Sequence, residues 1–453
     1  MPQTQKLSTP DIGIQIEGKP RFAPGDTISG NINRTTHIVA PRARVTVTLH
    51  GRTKAKVSPS SRNDSTHYRT SFRLLNARTT TQVVFDGPLH IERGRAAAWP
   101  FAMQIPRLVD PAATRSSGQE EASYEPLGRE GRPLPGSFSF FSTGFSSSLE
   151  AFVEYYLEAK LYVYHENRAR EECFATLPVS LRMLQPGPAI ADFNVRSQDC
   201  FKWDKFISHH LVPGCEDMRL SSHQKLRRFF HSRQVPHLTV KYEVEAPGVI
   251  QLGHSTPIPF FLRAIPIWSS TSEILQNVPQ KIRIDSIHVE ITSYTEAKAM
   301  GSLYAHSADG KSRITLGNYS HVEGREAHLP FLPDDPPLDI GKLMDLRPGY
   351  GGLTGRLYPS FKAFNINHGH HQLSWRVRVS VAGEKSEITV RKPVSILPAS
   401  NDGEVSAGGE PPPPFVEQRT ESWAVPPPDN EVPPAYSPAD KAQGGDVPGE
   451  SLA

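Results

Sequence analysis

The residues best placed to hold a metal or move a proton are His368, His370 and His371, with His209-His210 as a second pair. Side chains two apart on an extended strand share a face, so His368 and His370 could present two imidazoles to one ion. Two ligands make half a site. No cysteine or paired carboxylate stands beside them at ligand spacing, and the segment runs into an apolar alternation that begins at Leu373. Loop and strand-edge histidines are the stronger reading. Cys173, Cys200 and Cys215 fall in no metal or disulfide spacing, which fits a reducing compartment. The chain has no phosphate-cradling G-x-x-x-x-G-K-S/T loop, no G-x-G-x-x-G after a strand, no H-E-x-x-H and no G-x-S-x-G. An enzyme is not expected, and no cofactor is implied.

What chemistry the sequence does carry is recognition. Pro433-Pro434-Ala435-Tyr436 is a PPxY element. Adjacent prolines pre-set φ and favour a polyproline II ridge, so little ordering entropy is lost when a partner grips it. The Tyr436 ring then fills a second pocket, and an aromatic-lined WW groove reads that combination. Pro433, Pro434 and Tyr436 are therefore the predicted WW-binding residues. Ten acidic and two basic residues give 399–453 a charge of −8, and subtracting that from the chain's +3 leaves +11 for 1–398. The tail also holds 11 prolines and few aliphatic residues, too little apolar surface to offset its entropy, so disorder is predicted. The basic remainder suits an anionic membrane, an acidic receptor tail or nucleic acid, and charge alone does not choose among them. Nucleic acid is not expected, because aromatic residues are not interleaved with the basic ones.

The elements that would present these residues read as strands. Val45, Val47 and Leu49 alternate with threonines; Leu157, Ala159, Leu161 and Val163 alternate with Glu158, Lys160 and Tyr162. The same rhythm runs through Leu238 to Val244 and Trp375 to Val381. Each predicts a half-buried antiparallel strand with one wet face, and the whole predicts an all-β sandwich fold. Between Ile284 and Ile287 the phase slips by one, as at a β-bulge. Met1 to Ser8 lack an apolar signal-peptide core, and no uncharged apolar run is long enough to span a bilayer. Glycosylation sequons at Asn33, Asn63 and Asn318 read as chance matches in that setting.

An internal repeat divides the strands. Leu134-Pro135-Gly136-Ser137-Phe138 returns as Leu357-Tyr358-Pro359-Ser360-Phe361, and Pro24-Gly25 returns at Pro247-Gly248, both at an offset of 223. The strand around Leu157 returns around Trp375, and Pro178-Val179-Ser180 returns as Pro393-Val394-Ser395. Four matches in one order predict tandem β-sandwiches at 1–185 and 236–398, an interdomain segment at 186–235 and the tail at 399–453. Within the interdomain segment, Ser221-Ser222 can cap a short helix over 223–233, with Leu226, Phe229 and Phe230 on one side. Its cations Lys225, Arg227, Arg228 and Arg233 are candidate contacts to an anionic membrane. Packing between the sandwiches, charges solvated, is the favoured alternative.

The run Phe22-Ala23-Pro24-Gly25-Asp26-Thr27-Ile28-Ser29-Gly30 resembles the first-strand signature of arrestins. Leu134 to Phe138, Tyr155 to Val163, Pro178-Val179-Ser180 and their second-half counterparts resemble the same family. The resemblance covers roughly residues 12–398, and with the PPxY tail it points to fungal α-arrestins. Residues 107–133, a Pro/Gly/Ser-rich insertion, and 194–220, longer than a simple linker, depart from the pattern. The resemblance implies two tandem arrestin-like sandwiches that recognise plasma-membrane transporters or receptors and recruit the WW domains of a HECT-type ubiquitin ligase. Ubiquitin is then attached to the cargo, which is internalised. A cytoplasmic protein recruited to the plasma membrane and endosomes is expected. A signalling scaffold for a membrane sensor, as in fungal ambient-pH signalling, is the second reading, and a β-sandwich hydrolase the third.

Overall fold

Residues 8–18, 21–59, 67–115, 119–144, 147–165, 168–216, 218, 235–320, 327–332, 335–349 and 356–401 are described by the computed structural model. The first half is built from β1 (Ile12–Ile16), β2 (Arg21–Phe22), β3 (Thr27–Arg34), β4 (Ile38–Pro59), β5 (Tyr68–Arg73), β6 (Thr81–Ile91), β7 (Ala97–Gln104), β8 (Phe138–Thr143), β9 (Ser147–His165) and β10 (Arg168–Leu181). After β11 (Leu184–Gln185) come β12 (Arg196–Ile207), β13 (His237–Ala246), β14 (Val249–Gln251), β15 (Phe261–Pro266), β16 (Ile282–Met300) and β17 (Ala305–Ser320). The chain continues through β18 (His328–Leu329), β19 (Leu338–Asp339), β20 (Phe361–Ala363), β21 (Ile366–Val381), β22 (Glu384–Leu397) and β23 (Ala399–Ser400). Among the described residues two short α-helices, α1 (Pro111–Arg115) and α2 (Ile340–Leu343), and a few 3-10 turns interrupt an otherwise all-β fold.

The two halves share one topology. In the first, the sheet β1-β3-β7 packs on a seven-stranded sheet along the path β2-β10-β9-β4-β5, with β6 added to β4 and β8 to β9. In the second, β13-β15-β19 stands for the small sheet and β14-β22-β21-β16-β17 for the large one, with β18 on β16 and β20 on β21. The expected alternation is what fills the cores. Val45, Val47, Leu49, Leu157, Ala159 and Leu161 are buried in the first, and Leu238, Val240, Tyr242, Val244, Trp375, Val377 and Val379 in the second. The phase slip is also present, as a register shift of β16 against β21 between Ile284 and Ser286.

Ser137 and Ser360 make the repeat visible in hydrogen bonds. Ser137 N–H donates to the Leu181 carbonyl (2.7 Å) and its Oγ accepts from Leu181 N–H (2.9 Å). Ser360 does the same with Ile396, at 2.8 and 3.0 Å. The pairing of Pro24-Gly25 with Pro247-Gly248 does not survive. Gly25 follows β2, whereas Gly248 precedes β14. The true counterpart is Gly253: both glycines have positive φ, and they donate to the Ile105 and Pro348 carbonyls at 2.9 and 2.8 Å. A left-handed turn needs glycine there, so backbone geometry and not the Pro-Gly dipeptide repeats.

Two further expectations change. The segment read as interdomain donates β12 to the second half, as an antiparallel edge strand on β13 with no counterpart in the first. Its sequence is too polar to announce a strand, and of its described side chains Asp204 and Phe206 turn inward. The predicted 223–233 helix lies outside the described residues. The 107–133 insertion holds, among its described residues, α1 and a 3-10 turn, Glu120–Ala122, and packs against the second half through β16 and β17.

That packing belongs to a continuous joint between the halves. Ala297, Ala299, Ala308, Phe361, Phe364 and Ile366 of the second half are part of the first half's hydrophobic core. The β20–β21 turn is driven into the first half like a plug. Phe364 stacks on Phe72 (5.4 Å between centroids) with the Arg132 guanidinium over it at 4.9 Å. Asn365 Oδ1 accepts from Thr53 Oγ1 (2.6 Å), and its Nδ2 donates to the Thr70 carbonyl (3.2 Å). Tyr124 of the insertion donates its N–H to the Phe364 carbonyl at 2.8 Å.

Candidate functional site

The recognition residues Pro433, Pro434 and Tyr436 lie outside the described residues, as do Lys225, Arg227, Arg228 and Arg233. The root of the tail is described. Ala399 and Ser400 pair in parallel with Leu184 and Gln185, the first residues past the first half, and Ser400 Oγ donates to the Gly187 carbonyl at 2.5 Å. The acidic tail therefore leaves the fold beside the connection between the halves.

The histidine cluster is split differently from its spacing. The ladder between β16 and β21 slips at Tyr294/Glu296, so the strand's simple alternation fails there. His368 and His371 both turn inward, 2% and 1% exposed, while His370 faces out beside the Tyr294 ring. His368 Nδ1 stands 2.8 Å from Thr295 Oγ1, and His371 Nδ1 2.8 Å from Ser293 Oγ. A hydroxyl and an imidazole at that distance can form a nucleophile and base. Here the hydroxyls are buried with the rings, no carboxylate orients either imidazole, and the surroundings are aromatic. The pairs are packing. His210 is equally local, its Nδ1 2.9 Å from the Cys215 carbonyl. Among the described residues no group of three or more His, Cys, Asp or Glu could hold a metal ion. Cys173 and Cys215 are free thiols; burial raises Cys173 although Arg34 Nη1 donates to its sulfur at 2.9 Å. No helix among the described residues is long and apolar enough to cross a membrane.

Two features of the structure are not predicted by the sequence reading. On the face of β4 turned from the core, Arg52 and Lys54 reach Glu154 at 2.6 and 2.8 Å, and Lys56 reaches Glu150 at 3.0 Å. Lys54 is only 3% exposed, and burial pushes its ammonium down to about 8 against the pull of Glu154. Burial would raise Glu154, but Lys54 and Arg52 beside it hold its carboxyl below the usual range. The alternating cations of Arg52-Thr53-Lys54-Ala55-Lys56 and the acids four apart at Glu150, Glu154 and Glu158 are the signal that could have found this ladder.

The second feature is a meeting of hairpin ends. The Tyr68 ring opening β5 stacks flat on His306 of β17 at 3.7 Å, and Met300 N–H donates to Thr70 Oγ1 at 2.6 Å. Between β16 and β17 the turn displays Leu303 (84% exposed) and Tyr304 (61%), and Phe141 of β8 is also exposed. These side chains add no packing to either core and lie at the end of the joint formed by Tyr68, His306 and Met300. Comparison with known protein families and with curated proteins finds no match. The residues themselves carry the functional argument.

Proposed function

We propose that the chain is an adaptor: a pair of β-sandwiches that engages a membrane transporter or receptor, and a tail that recruits the WW domains of a HECT-type ubiquitin ligase. The observation that carries this reading is Pro433-Pro434-Ala435-Tyr436, placed 433 − 401 = 32 residues beyond Asn401, the last described residue. A tether of that length spans roughly 30 Å as a random coil and about 100 Å as extended polyproline II. It supplies effective concentration and not orientation, so a ligase held by it can search many lysines near a docked cargo. The anchoring of β23 beside the connection supports the reading, since it roots the tether near both halves. The hairpin tips around Leu303 and Tyr304 are the cargo contact we favour, and Lys225, Arg227, Arg228 and Arg233 the contact to an anionic membrane. The adaptor carries no reaction of its own and needs no cofactor.

The test is to identify what co-purifies with the intact chain and with Tyr436→Ala. The adaptor reading expects a HECT-type ligase in the first and its loss in the second, together with the ubiquitin on the bound cargo. A single polytopic sensor retained by both chains, with no ligase in either, would replace the adaptor with a signalling scaffold.

A further inference from the structure

The joint closes over two imidazoles that no carboxylate among the described residues acts on. His368 packs against Phe138 of the first half, 4.8 Å between centroids, and against Phe361 and Tyr358 of its own half at 5.7 and 6.1 Å. His371 stands edge-on to it at 4.9 Å. Each ring spends Nδ1 on one hydroxyl of β16, and His368 Nε2 is buried with no hydrogen-bond partner. The further polar group near His371 is the His368 backbone.

Every element packed around the pair is short of negative charge. From β16, Ser293 and Thr295 face the rings, whereas Tyr294 and Glu296 alternate to the other side, against His370 and Asn367. From β8 come Phe138 and the Ser139 hydroxyl, the latter turned to Tyr358 Oη at 3.2 Å. Before β20, Tyr358 is the titratable neighbour, and its ring lies under the Arg356 guanidinium at 5.0 Å. β20 offers Phe361, with Lys362 exposed, and β22 offers Val394 opposite His371. Among the described residues no carboxylate acts on either ring. A proton there would create a cation with aromatic faces and another imidazole for company, poorer than water. Burial, then His371, holds His368 down to about 3; burial, with His370 adding to it, holds His371 down to about 4.

We propose that the His368–His371 pair is an acid-operated latch of the joint: neutral rings keep Phe138 of the first half seated on the second, and protonation parts the two. The latch stands whether or not the tail recruits a ligase. Rings freed to water titrate near the ordinary 6.5, and closed rings well below it. The neutral form therefore favours closure, which is at full strength above pH 6.5 and is lost as pH falls below it. At pH 5 each ring shifts the balance toward the open joint by roughly thirtyfold.

Hydrogen–deuterium exchange on the intact chain at pH 7.5 and pH 5, corrected for the intrinsic pH dependence, tests this. Protection at 138–143, 293–300 and 361–371 should fall at pH 5 while 45–49 and 240–244, deep in the two cores, stay protected. The double variant His368→Phe, His371→Gln, which keeps bulk and a hydrogen-bonding group but cannot titrate, should lose the acid response. Equal loss of protection in joint and cores, or an unchanged acid response in the double variant, overturns the proposal. Should that variant not fold, histidine carbon-13 NMR of the native chain decides: two rings still neutral at pH 5.5 in molecules with the joint closed support the latch, and all rings titrating near 6.5 overturn it.

Discussion

Phe364 and Tyr436 are both aromatic residues at the tip of something, and they should fail in opposite ways. Phe364 sits at φ 40°, in the left-handed region that strains any residue with a β-carbon, and is held there by Phe72, Arg132 and the hydrogen bonds of Asn365. Phe364→Ala should cost about 3–5 kcal/mol, read as a lowered midpoint in urea denaturation. A change within about 0.5 kcal/mol would mean that the plug is not part of the joint. Tyr436→Ala should leave the midpoint alone and weaken binding of a 428–441 peptide to a WW domain. Losing one buried ring is worth on the order of 2 kcal/mol, about thirtyfold in Kd, while Ala435→Ser should lose almost nothing. Calorimetry with the three peptides checks this, and equal affinities would remove the main support for the adaptor. The Tyr436 reading rests on a contiguous motif that sequence alone can show. The plug at Phe364 is not legible in the sequence, because Asn365 beside it finds its partners 312 and 295 residues away.

At the scale of elements, legibility followed the wet face. Strands with one buried and one solvated side announce themselves by alternation, so the sequence predicts β4, β9, β13 and β21. β12 was hidden by its polar composition, and the Pro-Gly match misled because a dipeptide was compared where a dihedral angle repeats. The strand signature ending in Gly30 offers a sharper test of how closely β1 lies on β3. A β-carbon at Gly30 would clash with the Gln15 carbonyl oxygen, whereas one at Gly13 on the same pair of strands would meet nothing within 4 Å. Gly30→Ala should therefore destabilise by about 2–3 kcal/mol through displacement of β1, and Gly13→Ala by a few tenths at most. Comparable denaturation midpoints for the two variants would mean that β1 yields without cost. The edge position of β1 makes it the strand able to move.

At the scale of the molecule, the question is where the fold stops and the tether begins. The repeat ends with β22 at Leu397, which invites a boundary at Pro398, and composition alone places it there. Ala399 and Ser400 move it, because they pair with the strand that leaves the first half and so hold residues 399–400 against the connection between the sandwiches. Ser400 is buried and its hydroxyl donates to Gly187. A chain ending at Asn401 should melt with the full-length protein, since a tail with 11 prolines and few aliphatic residues has too little apolar surface to join a core. A chain ending at Pro398 loses β23, two ladder positions and one side-chain hydrogen bond, worth about 1–2 kcal/mol together. For halves of about 200 residues each, that lowers Tm by roughly 2–6 °C. Differential scanning calorimetry of the three chains separates the cases. A drop already present in the chain ending at Asn401 would mean that the tail docks on the sandwiches, and the tether would then be shorter than its sequence. Equal melting of all three would detach β23 from the fold and free the tether to swing from the end of β22, away from the connection between the halves.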